Sequence, residues 1–478
     1  MLTQIIQCFK EFRDTMYNSF HRRKDAAMEL VDSISSNTTA TSVVELSLNP
    51  LHRRNYCSIT RVLDEYQPSD EVEIAQHNAA YTQLLSKLCL SEQKRSHHLF
   101  VVDCTPAPRK FSPTLEDRGY VYAPNAVRGN KPVTIGHKYS IAAYLPEKAA
   151  GDPPWLIPLA CDRVNTAQKG ALVGMKQIAA CINSQPKFAD MLCVSVGDTE
   201  YSTPLCLWKA KENHNQVHIS RGKSNRNFYY PHVVESPCEA SRGRKKVYGD
   251  IHKLGDDTTW RDPDELLEFR ACSASGKLQI IKIMGWHTII MRGKRNCKLS
   301  DYPFRLLRVS IYKESGELIF NRPLWINAAG EKRCELSLFE IFNAYRQRFD
   351  IEHFFRFGKN RLLLDKIQTP DTKHEESWWQ IVMLAYAQLF LARNLANNTP
   401  NSWEKYLAVF KKNAPTKTPT QVQKDFGRII AEIGTPARQP KTPKKSKGRQ
   451  FGQLHGKRLH HPVIKKGKKG TVNKVMAA

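Results

Sequence analysis

The chain has 478 residues, 41% of them hydrophobic, and its 73 Lys and Arg against 46 Asp and Glu leave a net charge of +27. That length predicts two to four domains with real cores, and the charge excludes an ordinary near-neutral surface and points to a polyanionic partner, most commonly nucleic acid. No apolar stretch reaches the length of a membrane span, the first ten residues lack the pattern of a secretory leader, and the 12 cysteines form no CxxC pair, which disfavours a zinc ribbon and fits reduced thiols in the cytoplasm.

In chain order, residues 1–95 read as a helical N-terminal domain. Ile5, Ile6, Phe9 and Phe12 recur at helical spacing, as do the apolar residues from Ala26 to Ile34, before the polar run Ser35–Thr39 breaks the pattern. Asn49-Pro50 predicts a turn, followed by basic His52, Arg53 and Arg54. This block is either a DNA-binding domain or a helical bundle with a basic surface. Residues 96–232 change to an α/β pattern. Leu99–Val102 is a buried strand, Tyr120–Tyr122, Ile135–Ala143 and Trp155–Leu159 are further strands, Ala167–Ile182 is a helix, and Met191–Val196 and Gln216–Ile219 are strands again.

Residues 233–334 read as a β-rich insertion, with strand-like runs at Leu278–Ile283, Thr288–Met291 and Leu306–Tyr312. Residues 335–400 return to helix: one long helix over Leu336–Phe357, ended by Gly358, and a second, apolar on most sides, over Glu375–Leu395. A helical segment, 401–435, leads to a tail, 436–478, with 13 Lys or Arg and no acidic residue. That composition predicts disorder, with either plain solvation or contact with phosphates, the latter favoured by the single sign of the charge.

Tyr345, Arg348, Glu352 and Lys359 lie at offsets of three, seven and fourteen residues, within roughly 60° of one another around a helix. By spacing alone such a stripe is a solvated, salt-bridged face. The apolar neighbours Phe342, Ile351, Phe354 and Phe355 instead hold the helix in a core and aim its polar stripe at something specific. Val101-Val102-Asp103 and Val196-Gly197-Asp198 each place a carboxylate at the end of a buried strand. Singly, each fits a turn. With Glu352 they make a trio suited to phosphodiester cleavage, in which hard divalent ions held by oxygen ligands stabilise the attacking and leaving oxygens. Cys104 has no paired base and reads as packing.

Read as Y-x2-R-x3-E-x6-K, the segment from Tyr345 to Lys359 resembles the YREK signature of bacterial insertion-sequence DDE transposases. Asp103-Cys104-Thr105 is similar to that family's D-x-T after the first strand, and Asp198 is followed by aromatic Tyr201; the resemblance covers about residues 96–400. It implies an RNase H-like (retroviral-integrase-like) α/β catalytic core interrupted by a β-rich insertion. It implies Asp103, Asp198 and Glu352 as catalytic metal ligands for two Mg2+ (or Mn2+) ions, and Tyr345, Arg348 and Lys359 as DNA contacts. The expected reaction is cut-and-paste transposition on double-stranded DNA, at element ends and then at target, in a homodimeric synaptic complex at the bacterial nucleoid. Two alternatives share most of these features: a nuclease without strand transfer, and an inactive transposase-derived DNA-binding protein. One departure is Glu200, where the family often has a small residue; it is a further candidate for the metal. Arg221 and Arg226 either line the DNA channel or are surface charge, and Trp260 and Trp286 in the insertion read first as core packing and second as stacking platforms.

Overall fold

The structure is a computed structural model, and it describes residues 2–89, 94–123, 132–149, 151–232, 246–273, 276–293, 297–397, 417–442, 456 and 458–465. Four N-terminal helices come first: α1 (Leu2–Ser19), α2 (Lys24–Ser35), α3 (Cys57–Tyr66) and α4 (Glu71–Ser86). The spacing of Phe9, Phe12 and Met16 gives α1 one buried stripe. Asp70 starts α4 by accepting hydrogen bonds from the amides of Val72 and Glu73. Near the C-terminus, α9 (Thr372–Ala392) is buried over almost its whole length, and α1, α2 and α3 pack on it. A polar knot ties these helices together: Arg13 donates to Asp32 at 2.5 and 2.9 Å and to Gln388 at 2.8 Å, all buried.

The sheet follows. Its strands are β1 (His97–Pro108), β2 (Gly119–Tyr122), β3 (Val133–Tyr144), β4 (Ile157–Val164), β5 (Leu192–Gly197) and β6 (Gln216–Arg221). β3 pairs antiparallel with β1, β2 and β4, whereas β5 runs parallel to β1 and β6 parallel to β5. Leu99, Phe100, Val101 and Val102 are each at most 1% exposed, as strands covered on both faces require. On one face α5 (Gly170–Ile182) lies against β1, β3 and β4. On the other face lie α7 (Leu338–Gln347), α8 (Asp350–Arg361) and α9; Tyr139 of β3 stacks on Trp379 of α9 with ring centroids 3.9 Å apart. Between β5 and β6 runs the short helix α6 (Pro204–Lys209), and α10 (Pro419–Ile433) packs on α9.

The β-rich block joins the same sheet. β9 (Glu265–Cys272), β10 (Leu278–Ile289), β11 (Phe304–Lys313) and β12 (Leu324–Ala329) each run antiparallel to the next, and β12 pairs with β6. β7 (Asn227–Pro231) and β8 (Tyr248–Lys253) form a separate hairpin beside it. The two expected strands at Leu278–Ile283 and Thr288–Met291 prove to be the single strand β10. Gly285 carries it through because its bare backbone lets Leu338 of α7 pack close; a Cβ there would lie 2.7 Å from the leucine. β9 escaped the sequence reading because its apolar–polar alternation is broken at its start, where Glu265 is partly buried and Leu266 is 72% exposed.

Two further expectations are corrected. The helix expected over Leu336–Phe357 is two helices: at Arg348 and Phe349 the amides bond three residues back, to Tyr345 and Arg346, and the turn tightens. Gly358 does not end the second helix, which continues to Arg361; there Gly358 gives Leu364 room to pack. The expected disordered tail lies mostly outside the described residues, at 443–455, 457 and 466–478, as does 401–416 of the helical segment.

Removing one partner of a buried, hydrogen-bonded ion pair strands the other charge, at a cost of about 3–5 kcal/mol. Asp32→Ala is therefore expected to lower the melting temperature by several degrees, measured by calorimetry, while Glu11→Ala on the exposed face of α1 leaves it unchanged.

Candidate active site

The parallel pairing of β1 and β5 sets the first feature of the site. Val101 stands opposite Val196, so Asp103, two residues further along β1, comes level with Asp198, two residues further along and just past the end of β5. Asp103 is not at a strand end as expected, because β1 runs on to Pro108; its parallel neighbour β5 is what stops, at Gly197. Asp198 then caps a one-turn helix, Thr199–Ser202, accepting the Glu200 amide at 2.7 Å. Asp103 accepts the Cys104 amide at 2.7 Å. The close turn after β5 depends on Gly197, where a Cβ would lie 2.6 Å from the Tyr201 ring, and Tyr201 in turn packs against Gly174 of α5.

The third carboxylate arrives from the opposite layer. Glu352 is in the first turn of α8 and accepts a hydrogen bond from Arg348 at 2.9 Å. The other arm of the same guanidinium stands 3.7 Å from the Asp103 carboxylate. Arg348 is only 6% exposed and lies against the rings of Tyr345 and Phe349. Burial pushes the Asp103 carboxyl up to about 7, and the charges of Asp198 and, more weakly, Glu352 push the same way. Burial raises Asp198 too, with Arg348 and Lys138 opposing. Tyr345, 3% exposed and raised by burial, feels Arg348, Arg221 and Asp198. The fold thus gathers Asp103, Asp198, Glu352, Arg348, Tyr345 and Arg221 into one electrostatic neighbourhood.

The other expected site residues sit further out. The Lys359 ammonium donates to the Pro106 carbonyl at 2.7 Å and is lowered by burial. Arg226 donates to the Ser202 carbonyl and so braces the turn that Asp198 begins. Glu200 pairs with Lys138 at 3.1 Å. Trp286 is 2% exposed within a cluster of His252, Trp260 and Trp325, which agrees with core packing; Trp260 is half-buried at its edge. Lys138, on β3 close to Asp103 and Cys104, was missed by the sequence reading; its signal was a lone cation in the apolar run Ile135–Ala143.

A cleft of about 960 Å3 opens beside the two aspartates, with Lys138, Lys169 and Lys223 in its wall; Glu352 is not part of that wall. The oxygen donor set suits a hard divalent cation, and the raised Asp103 carboxyl marks the charge conflict that such a cation would relieve. As the side chains stand, no group of three or more His, Cys, Asp or Glu among the described residues is arranged to hold an ion, because Arg348 occupies the space between Asp103 and Glu352.

A family model described as "DDE superfamily endonuclease" matches residues 15–282. The match contains Asp103 and Asp198 and stops before Glu352. No curated protein matches. A solved structure described as a cryo-EM structure of a piggyBac transposase synaptic complex with hairpin DNA is similar at 8% identity, covering 94% of this chain and 87% of that chain with a TM-score of 0.38. Among the described residues no helix is long and apolar enough to cross a membrane.

The Asp103 carboxyl yields a pH prediction. Its folded value lies above the ordinary carboxylate range, so the folded chain keeps a proton that the unfolded chain releases. The resulting stability is fully present below the ordinary carboxylate value of about 4, falls progressively above it, and is lost once pH passes about 7. In chelator, Asp103→Asn is expected to stabilise the protein, by little at or below about pH 4, by about 1.5 kcal/mol at pH 5 and by up to about 4 kcal/mol at pH 8. Thermal melts across that range check it; a gain that does not depend on pH contradicts it.

Proposed function

This chain belongs to the DDE superfamily endonucleases, whose model spans more than half of it, and we propose that it is a transposase that cuts DNA at the ends of a bacterial insertion sequence and joins the freed 3′-OH to target DNA. The observation that supports the reading is that one guanidinium, that of Arg348, bonds to Glu352 and stands 3.7 Å from Asp103, while its charge also acts on Asp198. A sheet with one carboxylate on β1, a second just past the end of its parallel neighbour β5 and the third on a helix of the facing layer supports an RNase H-like core drawn from 96–232 and 335–400. We keep 1–95, 233–334, 401–435 and 436–478 as its accessory units.

Asp103, Asp198 and Glu352 are the residues that would hold the ions, Mg2+ or Mn2+. When bound, two such ions supply charge stabilisation for the attacking and leaving oxygens and a water that ionises near neutral pH. The chain's own groups do the rest. Burial and hydrogen bonding fix Asp103 on β1 and Asp198 at the helix cap just past β5, which keeps the donors preorganised. Arg348 neutralises part of the acidic charge while no ion is present, and its release from Glu352 frees that carboxylate to turn toward the aspartates. Tyr345 packs against Arg348 and fixes its position. Lysines in the cleft wall, Lys138, Lys169 and Lys223, face the phosphates of a DNA strand entering toward the aspartates. No protein nucleophile is required, since water and then the DNA 3′-OH attack. Both ends of an element must be held together, so the working form is a homodimer on DNA.

With Mg2+ and duplex DNA carrying the element's own ends, the wild-type protein is expected to nick at those ends. Glu352→Gln should lower cleavage by about a thousandfold, the equivalent of several kcal/mol of lost charge stabilisation, with DNA retention in a gel-shift assay unchanged. A pre-cut end with a free 3′-OH decides the second half of the reading: its joining to target DNA supports transposition, and cleavage without joining reduces the protein to a nuclease. Unchanged activity in the Glu352 variant removes the carboxylate trio from the mechanism.

A further inference from the structure

Residues 458–465, from the basic C-terminal stretch, are seated on the body of the protein and not free of it. The Ile464 amide donates to the Arg118 carbonyl at 2.9 Å, and Ile464 forms a parallel bridge with Gly119, on the edge strand β2. Three residues earlier, the His461 amide donates to Pro113 at 2.9 Å, and the buried Arg118 guanidinium reaches back to the His461 carbonyl at 3.3 Å. The two segments therefore exchange hydrogen bonds in both directions, which fixes the register of one on the other. Ile464 is also part of the wall of the cleft that contains Asp103 and Asp198.

We propose that this segment is a docked strap that binds the phosphate backbone of duplex DNA at the mouth of the cleft. The proposal rests on the reading of the chain as an enzyme that acts on DNA. The chemistry is that of opposed charges: the cleft floor is acidic, whereas the strap presents exposed Arg458 and Lys465, and Lys138, Lys169 and Lys223 line the cleft wall. Tyr120 and Tyr122 of β2, 55% and 63% exposed, lie on the same wall and offer hydroxyls to phosphate or sugar oxygens. A tail that acted only through its charge would need no dock. Here backbone hydrogen bonds and the Arg118 guanidinium hold it within reach of the reaction centre.

Two variants of the full chain test this. Ile464→Pro removes the amide that bonds to Arg118 and keeps every charge. Arg458→Glu combined with Lys465→Glu keeps the dock and reverses the charge. Tryptic cleavage after Lys465 reads docking directly: it should accelerate in Ile464→Pro, and no acceleration would show that the segment is not seated in solution. Binding to a fluorescent duplex is measured in chelator, so that it does not depend on catalysis. Both variants are expected to bind about three- to tenfold more weakly at 0.1 M salt. In the charge-reversed variant the log–log salt dependence should be shallower by roughly two, at about 0.9 for each phosphate no longer neutralised. Wild-type affinity in Ile464→Pro would overturn the proposal by showing that docking is irrelevant, and tighter binding or faster cleavage would overturn it by showing that the strap is a cover. A wild-type chain that binds DNA normally but fails to cut it leaves the strap standing and sinks the catalytic reading.

Discussion

Like charges brought together in a half-buried space need a counter-charge, and in this protein one guanidinium provides it. Asp103 and Asp198 stand level because β1 and β5 are parallel and in register. Glu352 approaches from the helical layer, and Arg348 reaches both Asp103 and Glu352. The guanidinium can do so because the chain tightens between α7 and α8, where hydrogen bonds to the third residue back replace those of a regular helix. The surrounding fold holds these elements in place. Tyr139 stacks on Trp379 to lock the helical layer against β3, and Gly174 and Gly197 leave room for the Tyr201 ring under the turn that begins at Asp198.

Arg348 is the partner that Asp103 and Glu352 share, and in the proposed reading a divalent ion would compete with it for the same carboxylates. While Arg348 is bound, Glu352 is held by a charge-assisted hydrogen bond at the protein's surface, and such a bond is strong enough to order a side chain yet weak enough to exchange. The Asp103 carboxyl, raised to about 7 by burial and by its acidic neighbours, stays poised between the protonated and ionised states at physiological pH. In the proposed reading, a divalent ion at this site would relieve the desolvation and the repulsion together.

The distribution of charge over the whole chain follows the same logic on a larger scale. A net charge of +27 would be an odd surface for a protein with an acidic centre, unless the excess cations flank that centre and hold something anionic across it. Lysines of the cleft wall and the docked segment ending at Lys465 lie where such flanking is needed. The β-rich block extends the same continuous sheet through β12 and β6, so its position relative to the carboxylates is set by backbone hydrogen bonds and not by a linker.

Local patterns determined a good deal. Hydrophobic runs marked β1, β3, β5, β6 and β11 and helical periodicity marked α2, α5 and α9, because burial on a strand or helix leaves a periodic trace in sequence; the stretch from Tyr345 to Lys359 was singled out by its resemblance to a transposase signature, since its spacing alone fits a solvated face as well. What only the tertiary structure decided are the relations between distant segments. Parallel registration put Asp103 level with Asp198, although no sequence pattern encodes which strands pair. The tightened turn at Arg348 and Phe349 is invisible in a stripe drawn for an unbroken helix. Lys138, the strap at Ile464 and the pairing of β12 with β6 depend on contacts between residues tens to hundreds of positions apart. Such contacts are chosen by the packing of the whole chain, where side-chain volume and hydrogen-bond satisfaction are settled jointly, and no short window of sequence contains that information.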